Sequence, residues 1–247
     1  MFGLLFGSFL NVCILRWPKE ESVVRPPSRC PGCGNGIAWY DNIPVFSWLI
    51  LRGRCRHCRT PISPMYPAVE FVTGMIWFLC GYHWSLSAAA LKAVVFFTIL
   101  LGITMTDARE LIIPDEFSIG GLVFGLLLSL LGGVPEVGRA LLGAAVGFGG
   151  LWAVGALGAM MFKKEAMGGG DIKMMAMVGA FLGWQGVLLT IFLGALIGTF
   201  VFLPVQLITG TRDKDIPFGI FLSIGAATTY LVGPALITWY SHYLTAM

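Results

Sequence analysis

The chain has 247 residues, of which 57% are hydrophobic and only 12% charged, and its mean hydropathy is +0.82. Soluble domains run at about 45–50% apolar and about 25% charged residues, so a soluble globular protein is excluded and a multi-pass membrane protein is indicated. The net charge of +3 is too small to mark a nucleic-acid binder, and no such partner is expected.

Apolar runs at 1–15, 68–84, 86–106, 116–133, 137–162, 172–183, 186–209 and 217–245 predict an all-α, polytopic membrane helix bundle of about eight segments. The expected division is a first membrane helix at 1–15, a polar insert at 16–67 and a membrane-embedded bundle at 68–247. The first run has no basic leader before it and no small-residue cleavage site after it, so it is not read as a cleavable signal peptide. Fifteen helical residues span only about 22 Å of a roughly 30 Å hydrocarbon core. That helix is expected either to lean on neighbours or to lack its natural start.

Topology follows from the basic residues. With 16–67 in the cytoplasm, the inner side receives Arg16, Lys19, Arg25, Arg29, Arg52, Arg54, Arg56, Arg59, Arg109, Lys163, Lys164, Lys173, Arg212 and Lys214. Only Lys92 and Arg139 fall near the outer side, a strong positive-inside bias.

Four of the six cysteines lie in the insert, as Cys30-Pro31-Gly32-Cys33 and Cys55-Arg56-His57-Cys58. Two CxxC turns can close a tetrahedral thiolate site, and four thiolates leave no open position, so a structural zinc is expected. His57 could replace one cysteine or point outward. Cys13 and Cys80, in apolar runs, read as packing residues. Between the knuckles, the segment from Trp39 to Leu49 is rich in aromatic side chains and suits a membrane interface. Arg52, Arg54 and Arg56 either hold anionic lipid or serve only as topology signal, the reading favoured here.

Two acids bracket the bundle at its cytoplasmic side. Asp107 ends the third segment, and Asp171 opens the sixth behind Gly168, Gly169 and Gly170. An acid at the edge of hydrocarbon is a functional-site hypothesis by default, and two carboxylates sharing a proton can activate water and protonate a leaving amine. The glycines, with Lys173, are the expected segment for close approach of a substrate backbone. Asp171 sits at a positive helix end near Lys173, so the shared proton is expected mainly on Asp107, leaving Asp171 as the base. Asp115, after Pro114, reads as a helix N-cap. Asp213 and Asp215, beside Arg212 and Lys214, read as a solvated loop.

Nearly end to end, these features resemble the type IV prepilin peptidase family. The likeness rests on Gly7-Ser8-Phe9-Leu10-Asn11-Val12 with Arg16-Trp17-Pro18, and on the two knuckles with Trp39-Tyr40-Asp41-Asn42-Ile43-Pro44 and Ser47-Trp48 between them. Tyr66-Pro67 with Glu70, and Asp107 with Ile113-Pro114-Asp115, continue it. Gly168-Gly169-Gly170-Asp171-Ile172-Lys173 and Ile216-Pro217-Phe218-Gly219 complete it.

The resemblance implies a bifunctional enzyme of the bacterial inner membrane. Its catalytic acids would be Asp107 and Asp171, cleaving type IV prepilins or type II secretion pseudopilins on the cytoplasmic side, after a glycine that ends a short basic leader. It further implies methylation of the new N-terminus from S-adenosylmethionine, within surrounding membrane lipid. Glu70 is either a contact for that cofactor or the incoming amine, or an interfacial residue without such a role. Ile220 departs from the family, which often has proline there, and the apolar stretch before Gly7 is shorter than usual. Two rival readings remain: a peptidase without methyl transfer, and an ion-coupled transporter with a zinc-stabilised cap.

Overall fold

The structure, a computed structural model, describes residues 1–163, 167–209 and 217–245. Lys164, Arg212, Asp213, Lys214, Asp215 and Ile216 lie outside the described residues, and with them the expected solvated loop. Among the described residues the regular elements are helices, with two isolated β-bridges, Arg29 to Gly36 and Arg54 to Pro61. The chain divides into two compact units, Met1–Thr98 and Ile99–Met247.

In the first unit, α1 (Phe2–Arg16) lies antiparallel to α3 (Met65–Trp84). Small residues let the backbones touch: a Cβ on Gly3 would lie 2.7 Å from Trp77 Cβ, and one on Gly7 2.7 Å from Glu70 Cα. Buried Asn11 donates to the Tyr66 carbonyl at 3.0 Å, and Trp77 Nε1 donates to Thr98 Oγ1 at 3.2 Å. The short first helix is therefore supported by a neighbour. Between α1 and α3 the insert carries only the short helix α2 (Phe46–Ile50) and two 3-10 turns.

In the second unit, α4 (Ala88–Glu110, which begins in the first) is followed by α5 (Asp115–Ser129), α6 (Val134–Phe162), α7 (Gly169–Thr209) and α8 (Phe218–Thr245). Helix α4 runs past the expected end at 106. It stops where Leu111 turns to φ 55 and donates its N–H to the Asp107 carbonyl at 3.1 Å.

The predicted sixth and seventh segments are two helices that follow one another without a loop, α7 breaking between them at Gly183 (φ 73, ψ 177). There the Leu182 carbonyl accepts from Arg139 at 3.2 Å, and Arg139 is itself paired with Glu136 at 3.5 Å. A side chain at Gly183 would be strained by its φ and would meet Arg139 Nε at 2.8 Å. Among the described residues, five helical stretches are long and apolar enough to cross a membrane: Ala88–Glu110, Asp115–Gly132, Val134–Met161, Gly169–Phe202 and Phe218–Trp239. Helix α1 is too short for that test, and α3 carries Glu70, His83 and two tyrosines, which lower its hydropathy. Large apolar side chains such as Phe124, Leu157 and Phe192 point outward, as hydrocarbon-facing residues do.

Helices α6 and α7 meet backbone to backbone. Gly143 and Gly147, spaced as GxxxG, face Gly179 and Met175, and a Cβ on Gly179 would overlap the Gly143 carbonyl. No rotamer change relieves a clash between main chains. Gly179→Val is expected to destabilise the second unit by about 3 kcal/mol or more, read as lowered thermal unfolding in detergent, whereas Gly149→Val, where an added Cβ meets nothing within 4 Å, should unfold as the parent does.

Candidate active site

Asp107 lies in the last turn of α4 and Asp171 in the first turn of α7. Asp107 is buried at 5% exposure. Its Oδ2 accepts the Ile220 N–H at 3.1 Å, and the Gly219 N–H is directed at the same carboxylate. Both donors belong to the first turn of α8, where backbone N–H groups have no helical partner and the helix end is positive. Asp107 thus caps α8.

Ile113, in the turn between α4 and α5, joins the pieces. A Cβ on Gly170 would lie 3.0 Å from Ile113 Cβ, and one on Gly219 would lie 2.9 Å from both Ile113 Cδ1 and Asp107 Oδ2. The two carboxylates are close enough for the charge of Asp107 to act on Asp171. Three helix ends and one turn thereby gather both predicted acids.

The expected approach segment divides in two. Gly168 and Gly169 are exposed; among the described residues an added Cβ at Gly169 meets nothing within 4 Å, and one at Gly168 meets Asp171 Oδ2 at 3.2 Å. Gly170 instead packs on Ile113. Lys173 does not serve Asp171: its Nζ pairs with both oxygens of Asp115, at 2.7 and 2.9 Å. Asp115 is not the N-cap expected from its place after proline. Pro114 holds that position, and its carbonyl accepts the N–H groups of Phe117 and Ser118. The Asp115–Lys173 pair instead ties the start of α5 to the start of α7.

Gly219 and Ile220 had no role in the sequence reading, although Pro217-Phe218-Gly219 stood out as a motif. The signal was present: a proline just before an apolar run marks a helix start, whose free N–H groups suit an anion. A methyl at Gly219 must displace the Asp107 carboxylate or Ile113. Gly219→Ala is expected to lower the activity of the acid pair by about 10- to 100-fold with unchanged helix content by circular dichroism.

In the first unit the four cysteines converge. The sulfurs of Cys30, Cys33, Cys55 and Cys58 all lie within 4.8 Å of one another, with Cys30 and Cys58 at 3.6 Å. The Thr60 hydroxyl, with its backbone N–H, holds the Cys58 thiol down to about 6, favouring thiolate. These cysteines are positioned to hold a metal ion; His57 is not among the converging groups.

The rest of the insert is fastened around them. Arg56 forms a bidentate pair with Asp41, at 2.8 and 2.6 Å, and lies over the Tyr40 ring. Trp48 Nε1 donates to the Ile62 carbonyl at 3.1 Å. Buried Glu70 accepts the Val45 N–H at 2.7 Å; Val45 has φ 63, a strained value for a β-branched residue. Glu70 therefore pins the aromatic segment to the head of α3.

Comparison with known proteins agrees along the chain. Residues 1–84 match the model of the bacterial peptidase A24 N-terminal domain, and residues 94–203 match that of the type IV leader peptidase family. A prepilin leader peptidase/N-methyltransferase of Aeromonas hydrophila is 36% identical, over 97% of this chain and 91% of that protein. One from Pectobacterium carotovorum is 37% identical, over 91% and 88%. One from Myxococcus xanthus is 40% identical over 85% of this chain, which spans 63% of that protein's length. No solved structure matches. With both halves matched and two acids gathered at helix ends, the chain belongs to the type IV leader peptidase family.

Proposed function

We propose that the protein cleaves the leader peptide of type IV prepilins or pseudopilins with Asp107 and Asp171, and N-methylates the new N-terminus from S-adenosylmethionine. The observation that carries the peptidase reading is the meeting of two carboxylates from separate helix ends around Ile113 and Gly219. Each acid lies within one turn of a helix end, which supports chemistry at a membrane interface. The basic-residue bias favours the cytoplasmic side of the bacterial inner membrane for that interface. Transporter acids sit nearer the midplane, so the transporter reading is the weaker one.

In the mechanism, Asp107 Oδ2 is held as an acceptor by the Ile220 N–H, and Lys173 is spent on Asp115. This reverses the assignment expected from the sequence: Asp107 acts as the base and Asp171 carries the shared proton. Asp107 takes a proton from water as its oxygen attacks the scissile carbonyl carbon, while Asp171 protonates the carbonyl oxygen. The tetrahedral diol then collapses. Its hydroxyl proton returns to Asp171, the C–N bond breaks, and the leaving amine takes the proton held on Asp107. The open side at Gly168 and Gly169 is where an extended substrate backbone fits.

Zinc suits the cysteine cluster. Tetrahedral Zn–S bonds of about 2.3 Å place sulfurs about 3.8 Å apart, close to the 3.6 Å between Cys30 and Cys58. When bound, the metal supplies structural cross-linking and neutralises thiolate charge. S-adenosylmethionine, when bound, supplies the methyl group. Glu70 serves that half-reaction by fixing the posture of the insert through Val45.

The experiment is mass spectrometry of a prepilin incubated with the solubilised protein and S-adenosylmethionine. Loss of the leader together with a gain of about 14 Da on the mature product is expected. Cleavage without the gain would leave a peptidase alone.

A further inference from the structure

The second zinc knuckle carries charge that its fold does not require. Both knuckles have one backbone plan. Cys30 N–H bonds the Asn35 carbonyl at 2.9 Å and Gly34 N–H bonds the Cys30 carbonyl at 2.9 Å; Cys55 N–H bonds the Thr60 carbonyl at 2.9 Å and Arg59 N–H bonds the Cys55 carbonyl at 3.1 Å. The bridges Arg29 to Gly36 and Arg54 to Pro61 close the two turns in the same register. Position 34 is a glycine at φ 71, the residue suited to that conformation, but its counterpart is Arg59 at φ 61. Likewise Pro31 of the first knuckle corresponds to Arg56 of the second. Arg52 also stands at positive φ, 52. An L side chain in this region costs about 1 kcal/mol, and a topology signal could be carried by arginines at unstrained positions.

These side chains share a cavity of about 520 Å³ lined by Arg52, Arg54, Arg56 and Arg59, with Ile50 and Leu51. Asp41 neutralises Arg56. Among the described residues, Arg52, Arg54 and Arg59 have no carboxylate partner. The apolar part of the lining continues onto α2, where Phe46, Leu49 and Ile50 are 58%, 57% and 76% exposed. A cationic or neutral ligand has no reason to settle there, and a soluble anion would leave the apolar half unused. The insert hangs from one end of the antiparallel pair α1 and α3, so this face is tethered at a bilayer surface.

We propose that Arg52, Arg54 and Arg59 hold the phosphate of an anionic phospholipid, whose acyl chains lie along Ile50 and the exposed face of α2. Guanidinium groups suit phosphate through paired N–H donors. The site makes the posture of the metal-binding insert depend on the charge of the surrounding membrane. It deepens the functional reading without depending on either catalytic activity.

The test is native mass spectrometry of the full chain in detergent, titrated with phosphatidylglycerol or phosphatidylcholine of identical acyl chains. Phosphatidylglycerol is expected to bind at least about tenfold more tightly. Each arginine near an anionic surface contributes about fivefold in affinity. Arg59→Gly, which relieves backbone strain and so does not threaten folding, should weaken binding about fivefold. Arg52→Gln, Arg54→Gln and Arg59→Gly together should weaken it roughly a hundredfold, with metal stoichiometry retained in the same spectra. A control that removes equal charge, Lys19→Gln with Arg25→Gln and Arg29→Gln, should bind as the parent does. Equal loss in the control, or equal binding of phosphatidylcholine, overturns the site. Displacement of phosphatidylglycerol by inorganic pyrophosphate at micromolar concentration overturns the lipid assignment in favour of a soluble phosphate ligand.

Discussion

Asp171→Asn and Asp107→Asn are each expected to reduce leader cleavage by about 10³- to 10⁴-fold, and the double variant little further. General acid and base steps each contribute about 10²- to 10⁴-fold, and groups acting as one unit lose their effect together. Asparagine keeps the shape of aspartate, and its amide oxygen still accepts the Ile220 N–H, so the cap on α8 survives and helix content should not change. The comparison is single-turnover cleavage of a prepilin by solubilised protein, followed across pH. Loss multiplied in the double variant would mean two independent sites. Substantial cleavage by Asp107→Asn at lower pH would remove Asp107 from the reaction.

The acids were legible because a carboxylate beside hydrocarbon is rare, and two at one depth are rarer. Their partners were not, because the groups that hold Asp107 are backbone N–H groups of α8, 112 and 113 residues away in the chain. Nothing in a linear pattern says which helix end will face which acid. The same blindness explains Lys173. Two residues from Asp171, it was read as that acid's partner; on a helix, positions two apart point to different sides, and its ammonium reaches Asp115. The break at Gly183 was visible as a gap between two apolar runs. What no linear pattern shows is that Arg139, on another helix, meets the Leu182 carbonyl where the two helices part.

The cysteine cluster was the most readable feature, since each knuckle is local and four residues long. Glu70 was the least. An acid near an interface can bind a ligand, pair with a cation or hold backbone. The structure shows the third use, the Glu70 carboxylate accepting the N–H of Val45 at a strained turn. Sequence shows charge and spacing well; it shows poorly which backbone groups are left without partners.

Removing the metal is expected to melt the insert while leaving cleavage within about tenfold of the parent. Between residues 17 and 64 only Cys30, Pro44, Ser47, Gly53 and Cys55 are buried, and no large apolar side chain is among them. Ordering each residue costs about 1–2 kcal/mol of backbone entropy, which so little apolar burial does not offset. The Arg56–Asp41 pair is solvent-exposed, and the bonds from Trp48 to Ile62 and Glu70 to Val45 contribute about 1 kcal/mol apiece, too little to order 48 residues. Structural zinc contributes roughly 10–16 kcal/mol in small domains, the scale required. Cys30→Ser with Cys55→Ser removes the two buried cysteines of the cluster. In that variant, as in chelator-treated parent, amide hydrogens of 17–64 should exchange at the rates of an unfolded chain and methyl transfer should vanish. The acid pair is assembled entirely from helices of the second unit, so its cleavage step is expected to persist. Full protection of the insert in metal-free protein would show that its hydrogen bonds alone hold it, and would reduce the cysteines to a secondary role.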